Sequence, residues 1–168
     1  PVERTPPNGL RVIVAHSEAL PLVAASLMFE AGAASDPPRL AGAANLTAAL
    51  VTEGTATRSA REIARQSEAL GADLASSSSW ESSTVSLSVM PDKLPAALGI
   101  VADVARNPTF APEELERARK QQLDNLDVAY GDPGQVAAFA TAPVTYAGTS
   151  FAHAADGTPS SLKRLTRD

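Results

Sequence analysis

The chain reads as an α+β domain, a mainly antiparallel sheet with helices packed on one face. Val85, Leu87 and Val89 alternate with Thr84, Ser86 and Ser88, the period of two that gives a strand one buried and one polar face. Leu94, Leu98, Val101 and Ala105 recur instead at helical spacing. Strand-like and helix-like stretches follow one another as β-β-α-α-β-β-α-α-α, in runs rather than strict alternation, which favours an antiparallel sheet over a doubly wound parallel one. The 168 residues suffice for one domain with its own core, so residues 1–168 are read as a single unit.

The elements follow in order. Leu10 to Ala15, after a turn at Pro7-Asn8-Gly9, reads as a strand, and Leu22 to Phe29 as a second, well-buried one. Residues 32–38 form the loop into a helix over Arg39 to Thr52, with Gly54 as its stop. Ser59-Ala60-Arg61-Glu62 is a capping box, so a helix starts there, runs to Leu70 and ends at Gly71. Residues 72–78 and 81–90 read as a strand pair. Asp92 is the expected N-cap of the next helix, which Asn107-Pro108 stops. Pro112 at a first helical position, backed by Glu113 and Glu114, opens another. A further helix covers Gln135 to Thr141 and breaks near Pro143. Residues 146–159 are loop, and Ser160 to Leu165 starts a last helix.

Composition excludes several functions. Aromatic residues make up 4 % and the net charge is −5, which disfavours base stacking and a phosphate-backbone partner, so no nucleic acid is expected. With no cysteine, disulfides, thiolate catalysis and cysteine metal sites are out. No apolar run approaches the length of a membrane span. The N-terminus lacks a signal-peptide pattern, and a start at Pro1 is expected of a chain trimmed from something longer. The compartment stays open between cytoplasm and periplasm.

The residues that carry most information are Gly42-Ala43-Ala44-Asn45-Leu46-Thr47-Ala48-Ala49, running on to Glu53-Gly54-Thr55, after Ala31-Gly32-Ala33-Ala34-Ser35-Asp36-Pro37-Pro38. This frame resembles the catalytic helix of the pitrilysin/insulinase zinc peptidases, the inverzincins, whose pattern is roughly G-x-A-H-x-x-E-H-x-x-x-x-G-T after a loop ending in Asp/Glu-Pro-Pro. The segment from Glu113 to Pro133 looks like the family's E-R-x-V-V-x-x-E helix. Asn8-Gly9-Leu10-Arg11-Val12-Ile13-Val14 resembles its opening strand, and residues 146–159 its Y-G-x-x-P-Y…G-T-P loop. The resemblance covers essentially the whole chain. It implies a pitrilysin/insulinase-like, metallohydrolase-type domain that stops at Thr166-Arg167-Asp168, before the family's closing helix and final strand.

Laid over that frame, the two histidines fall on Asn45 and Ala49, the glutamate on Ala48, and the third ligand, a glutamate of the later helix, on Asn125, give or take one residue. In H-x-x-E-H the positions i, i+3 and i+4 share one helix face, where two imidazoles hold zinc and the carboxylate activates water. Alanine has no donor atom, and an amide oxygen is a ligand zinc does not favour. The expectation is therefore no metal and no catalytic residue in this chain, with Asn45, Ala48, Ala49 and Asn125 as degenerate positions.

Family members pair similar halves around a peptide, and in many only one half carries the zinc motif. The resemblance thus implies the non-catalytic half of a bacterial zinc metallopeptidase, helping to form the peptide chamber. Its partner would be an H-x-x-E-H-bearing half, on the same polypeptide or a separate subunit, with zinc in that half and none here. Relatives of this kind are often periplasmic. Two alternatives stay open: a purely structural member of the superfamily resembling respiratory-complex core subunits, and an unrelated α+β binding module.

Other features read blandly. His16 and His153 have no metal-ligand or base spacing. Ser76 to Ser79 before Trp80 lack a G-x-S-x-G elbow and read as a polar strand end, whose edge resembles the one that pairs with substrate in catalytic relatives. Arg117, Arg119 and Lys120, with Glu113, Glu114 and Glu116, read as a solvated helix face. Asn45-Leu46-Thr47 matches a glycosylation acceptor but lies inside a predicted helix. Trp80 is expected to pack or to contact another domain.

Overall fold

The alternation in the last strand fixes the sheet. In a computed structural model, which describes residues 1–17 and 19–167, a first hairpin joins β1 (Val2–Arg4) to β2 (Val12–Val14), and the main sheet is built from β3 (Val23–Phe29), β4 (Asp73–Ser78) and β5 (Ser83–Val89). The main sheet is antiparallel in the order β3-β5-β4, so β4 is an edge strand. Leu87 stands opposite both Ala25 and Leu74, and Val85 opposite Leu27 and Ser76. Val85, Leu87 and Val89 are buried; they meet Ile63 of α2 (Ala60–Leu70) and Ala97, Ile100, Val101 and Val104 of α3 (Leu94–Arg106) in one core. On the other face β5 presents Thr84, Ser86 and Ser88, none of them buried.

Helix α1 (Ala43–Leu50) lies between this sheet and α4 (Pro112–Tyr130). Its Leu46 and Leu50 join Leu115 and Leu126 of α4 and Leu162 of α6 (Pro159–Leu162) in a second core. Helix α5 (Pro133–Thr145) packs on α4 and has no buried residue. The expected helix over Arg39–Thr52 is shorter than predicted: a 3-10 turn covers Pro38–Leu40, and Gly42 at φ +93° separates it from α1. Gly42 supplies no cap side chain. Asp36 does so from a distance, its carboxylate accepting from the amides of Gly42 (3.0 Å) and Ala44 (3.1 Å). Burial pushes the Asp36 carboxyl above its usual value, against those two amide bonds. Gly32 in the same loop has a packing reason: a Cβ there would lie 2.4 Å from the Ser79 carbonyl oxygen and 2.7 Å from the Ser82 nitrogen.

Asp103 organises the far end of the molecule. Its buried carboxylate accepts from Thr55 Oγ1 (2.7 Å), Thr57 Oγ1 (3.0 Å), Asn107 Nδ2 (2.9 Å) and Arg58 Nη1 (2.5 Å), tying the loop after α1 to α3. The Thr55 hydroxyl first, then the Asn107 amide, with Arg58 and Thr57, hold its carboxyl well below the ordinary carboxylate range against the cost of burial.

Several expectations are corrected. β3 is half-buried, with Met28 63 % exposed, because it is a sheet edge covered on one face only. The α3 stripe is rotated: Leu98 is exposed, and Ala97, Ile100 and Val104 face the core with Val101. Lys93 rather than Asp92 is the N-cap, since Asp92 lies in a 3-10 turn over Pro91–Lys93. Helix α5 runs past Pro143 to Thr145; residue 143 is exposed, so water can satisfy the carbonyl that the ring leaves unbonded. Strand β1, which the sequence did not suggest, pairs with a β2 shorter than expected, Val2 opposite Val14.

Asp103→Asn should lower stability at pH 7 by about 2 kcal/mol, the scale of losing charge-assisted hydrogen bonds. A carboxyl depressed by folding stabilises fully above the ordinary carboxylate pKa of about 4 and loses that contribution as pH falls toward its folded value. Urea midpoints should therefore differ most between wild type and D103N near neutrality and converge as the pH drops below about 4; a gap unchanged at low pH would contradict this role.

Candidate functional site

Positions 45, 48 and 49 lie on one face of α1 because i, i+3 and i+4 are helical neighbours. That face opens onto a cavity of about 790 Å³. Asn45, Ala48 and Ala49 form one wall; Asn125, Gln122 and Ala129 of α4 form the facing one. Ser76, Ser77 and Ser78 of β4 bound one side, and Asp132, Gln135 and Phe139, at and within α5, the other, with Asp156 at the rim. All four positions singled out in the sequence thus converge on one cavity.

The polar groups there are largely engaged with the protein itself. Asn45 Nδ2 donates to Asp156 Oδ1 (2.6 Å) and to the Ala155 carbonyl (3.2 Å). Gln122 Nε2 donates to the Asp156 carbonyl (2.9 Å), so α1 and α4 both hold the loop at residues 155–156. Asn125 Oδ1 accepts from Gln121 Nε2 (3.0 Å), and Ser76 Oγ donates to the Ala48 carbonyl (2.5 Å), fastening α1 to the sheet edge. This is a set of amides and hydroxyls suited to hydrogen bonding. It pairs no nucleophile with a base.

Zinc would need imidazole, thiolate or carboxylate donors on these two helices. Asn45 and Asn125 offer amide oxygens, Ala48 and Ala49 nothing, so the residues present do not fit the metal and no hydrolytic step follows from them. Among the described residues no group of three His, Cys, Asp or Glu side chains could hold a metal ion. Neither histidine lines the cavity. His16 is exposed after β2. His153 is buried, its Nδ1 3.2 Å from the Ala154 carbonyl, and its ring lies tilted against Trp80 with centroids 5.5 Å apart. Trp80 also meets Phe151 at 5.4 Å, so it anchors the 146–158 loop to the β4–β5 hairpin.

The solvated helix face expected at Arg117, Arg119 and Lys120 needs one correction. Arg117 pairs with Glu53 and Glu114, both at 2.7 Å, and Lys120 with Asp124 at 2.6 Å, as exposed groups do. Arg119 is buried: its guanidinium donates to the carbonyls of Leu162 and Leu165 (2.8 Å to the latter) and docks the C-terminal segment on α4. Asp132, Asp156 and Phe139 went unnoticed as cavity residues. Asp132 had a local signal, an acid before Pro133 that caps α5 by accepting from the Gln135 amide (2.9 Å); Asp156 had none, since only the folded loop brings it to α1.

The family pattern described as Insulinase (Peptidase family M16) matches residues 11–149. The chain belongs to the insulinase family. An uncharacterized zinc protease of Mycobacterium tuberculosis is 30 % identical over 133 residues, 79 % of this chain and 30 % of that protein. The crystal structure of a peptidase M16 inactive domain from Pseudomonas fluorescens superposes with a TM-score of 0.93 at 30 % identity, covering 99 % of this chain and 40 % of that one. Pitrilysin shares the fold, with a TM-score of 0.78 at 20 % identity over 95 % of this chain and 17 % of its own. The α+β, antiparallel architecture read from the sequence is that of the insulinase family. The chain thus spans 40 % or less of the length of each of these proteins.

Asn45→Ala should release the 155–156 loop from α1 at a cost of about 1 kcal/mol for the lost hydrogen bonds. Amide exchange should quicken at residues 153–157 and stay unchanged in β5; unchanged exchange in that loop would show that Asn45 does not hold it.

Proposed function

We propose that this chain is the non-catalytic half of an insulinase-family zinc metallopeptidase and helps to enclose peptide together with a separate half that bears H-x-x-E-H. The convergence of Asn45, Ala48, Ala49 and Asn125 on one cavity carries this reading: the family's ligand face is intact in shape and empty of donors. On this reading the zinc and the activated water belong to the other half, and this half supplies wall and peptide contacts. The cavity is bounded by Ser76–Ser78 of the edge strand β4. An extended peptide pairing there would satisfy its backbone groups by strand addition. The solved inactive domain that resembles the chain at 30 % identity supports the same assignment.

Metal content and peptidase activity test it together. The chain alone should hold no stoichiometric zinc and cleave no casein or model peptide. The longer parent protein, or the chain mixed with its H-x-x-E-H half, should cleave in a manner abolished by chelator and restored by zinc. About one zinc per chain in the isolated domain, with chelator-sensitive cleavage, would overturn the proposal. A parent that is itself metal-free and inactive would overturn it in favour of a purely structural role.

A further inference from the structure

We infer that residues 131–150, helix α5 with its two flanking turns, form a movable wall of the cavity, fastened by Phe139. They leave α4 and unfold as one unit, on the microsecond-to-second timescale of local unfolding, while α1, α4 and the sheet stay folded. Helix α5 has 13 residues and buries none of them; only Phe139 and Ala142 are even half-buried. Helix α1 is shorter, yet it buries Leu46, Ala48 and Leu50. A segment with few buried apolar side chains gives up little when it leaves, so it opens at a lower free energy than the rest of the domain.

Polar contacts add little hold. Residues 133–145 carry no charged side chain, so α5 forms no ion pair. Among the described residues its side-chain hydrogen bonds stay local: the Gln135 amide donates to Asp132 Oδ1, and Thr141 Oγ1 to the Ala137 carbonyl (2.9 Å). What fastens the helix is Phe139, which packs on the second core and meets Tyr130 edge-on at 5.5 Å. Once detached, α5 does not persist as a helix. An isolated helix of this length is marginal in water. Gly134 lowers its propensity further, and Pro143 leaves the Phe139 carbonyl without its helical donor.

The segment lies between two firm anchors. Upstream, Leu126 of α4 is buried; downstream, Phe151 and His153 pack on Trp80. Gly131 separates α4 from α5. Gly148 sits at φ +79°, where an added Cβ would meet nothing within 4 Å, so glycine there serves the turn and not close packing. Gln135 and Phe139 line the cavity from this segment, and Ser76, Ser77 and Ser78 line it from the sheet. The cavity thus has one fixed side and one that departs with α5.

Native-state amide hydrogen exchange on the 168-residue chain, without peptide, tests this and leaves the peptide-chamber reading untouched. The amides of residues 137–142, 144 and 145 should share one opening constant. Corrected for intrinsic rates, they should exchange at least about a hundredfold faster than those of β5. Phe139→Ala should quicken that group about tenfold, the scale of losing a half-buried aromatic contact, and leave β5 unchanged. Exchange in α5 as slow as in β5 would overturn the inference, since α5 would then open only with the whole domain. A gradient rising steadily toward one end would overturn it in favour of fraying. Amides unprotected throughout α5 would overturn it too, because no wall would be formed to move. No acceleration in the variant, or equal acceleration in β5, would overturn Phe139 as the fastening. The unmodified chain decides whether α5 opens as a unit even where the variant does not fold.

Discussion

Helix α1 has eight residues, too few to persist in water on its own, and the arrangement of the cavity depends on how it is clamped. Asp36 satisfies the amides at its N-terminus, Ser76 takes the carbonyl of Ala48, and Asn45 reaches across to residues 155 and 156. Leu46 and Leu50 bury against α4 and α6 on the side away from the sheet. These contacts come from four separate parts of the chain. Together they hold positions 45, 48 and 49 opposite position 125 through contacts of the protein itself.

On the proposed reading, that clamping lets a face without ligand side chains keep its shape. In a metal site the ion itself links the helices that supply its ligands, and losing it removes that bond. Here the link runs through the protein: Leu126 of α4 packs with Leu46 and Leu50, and Gln122 and Asn45 share the same loop. Asn45 is a structural hydrogen-bond donor to residues 155 and 156, and Ser76 reaches the Ala48 carbonyl.

Much of the fold was legible because its signals are local. The β5 alternation names its own buried face, the Ser59–Glu62 capping box sets the start of α2, and Gly71 at φ +62° ends it. That Asn45, Ala48, Ala49 and Asn125 belong together was legible because the residues around them resemble the family's frame in order and spacing, and the four line one cavity. What was not legible depends on contacts distant in sequence. Arg119 looks like any exposed helix arginine until Leu162 and Leu165 fold back over it. The rotation of α3 that buries Ala97 and exposes Leu98 follows from packing on β5, and Asp156 enters the cavity only through the path of its loop. The pairing of β1 with β2 likewise joins two segments too short to announce themselves.

On the proposed reading, α1 and α4 form a metal-site scaffold without its imidazole and carboxylate ligands. Zinc titration calorimetry on the combined variant Asn45→His, Ala48→Glu, Ala49→His and Asn125→Glu, beside the unmodified chain, tests it most directly. The account predicts about one zinc per folded chain in the variant and none in the original under the same conditions. A variant that folds, as judged by circular dichroism, and still takes up no zinc would contradict it, since the four positions would then not share a ligand geometry.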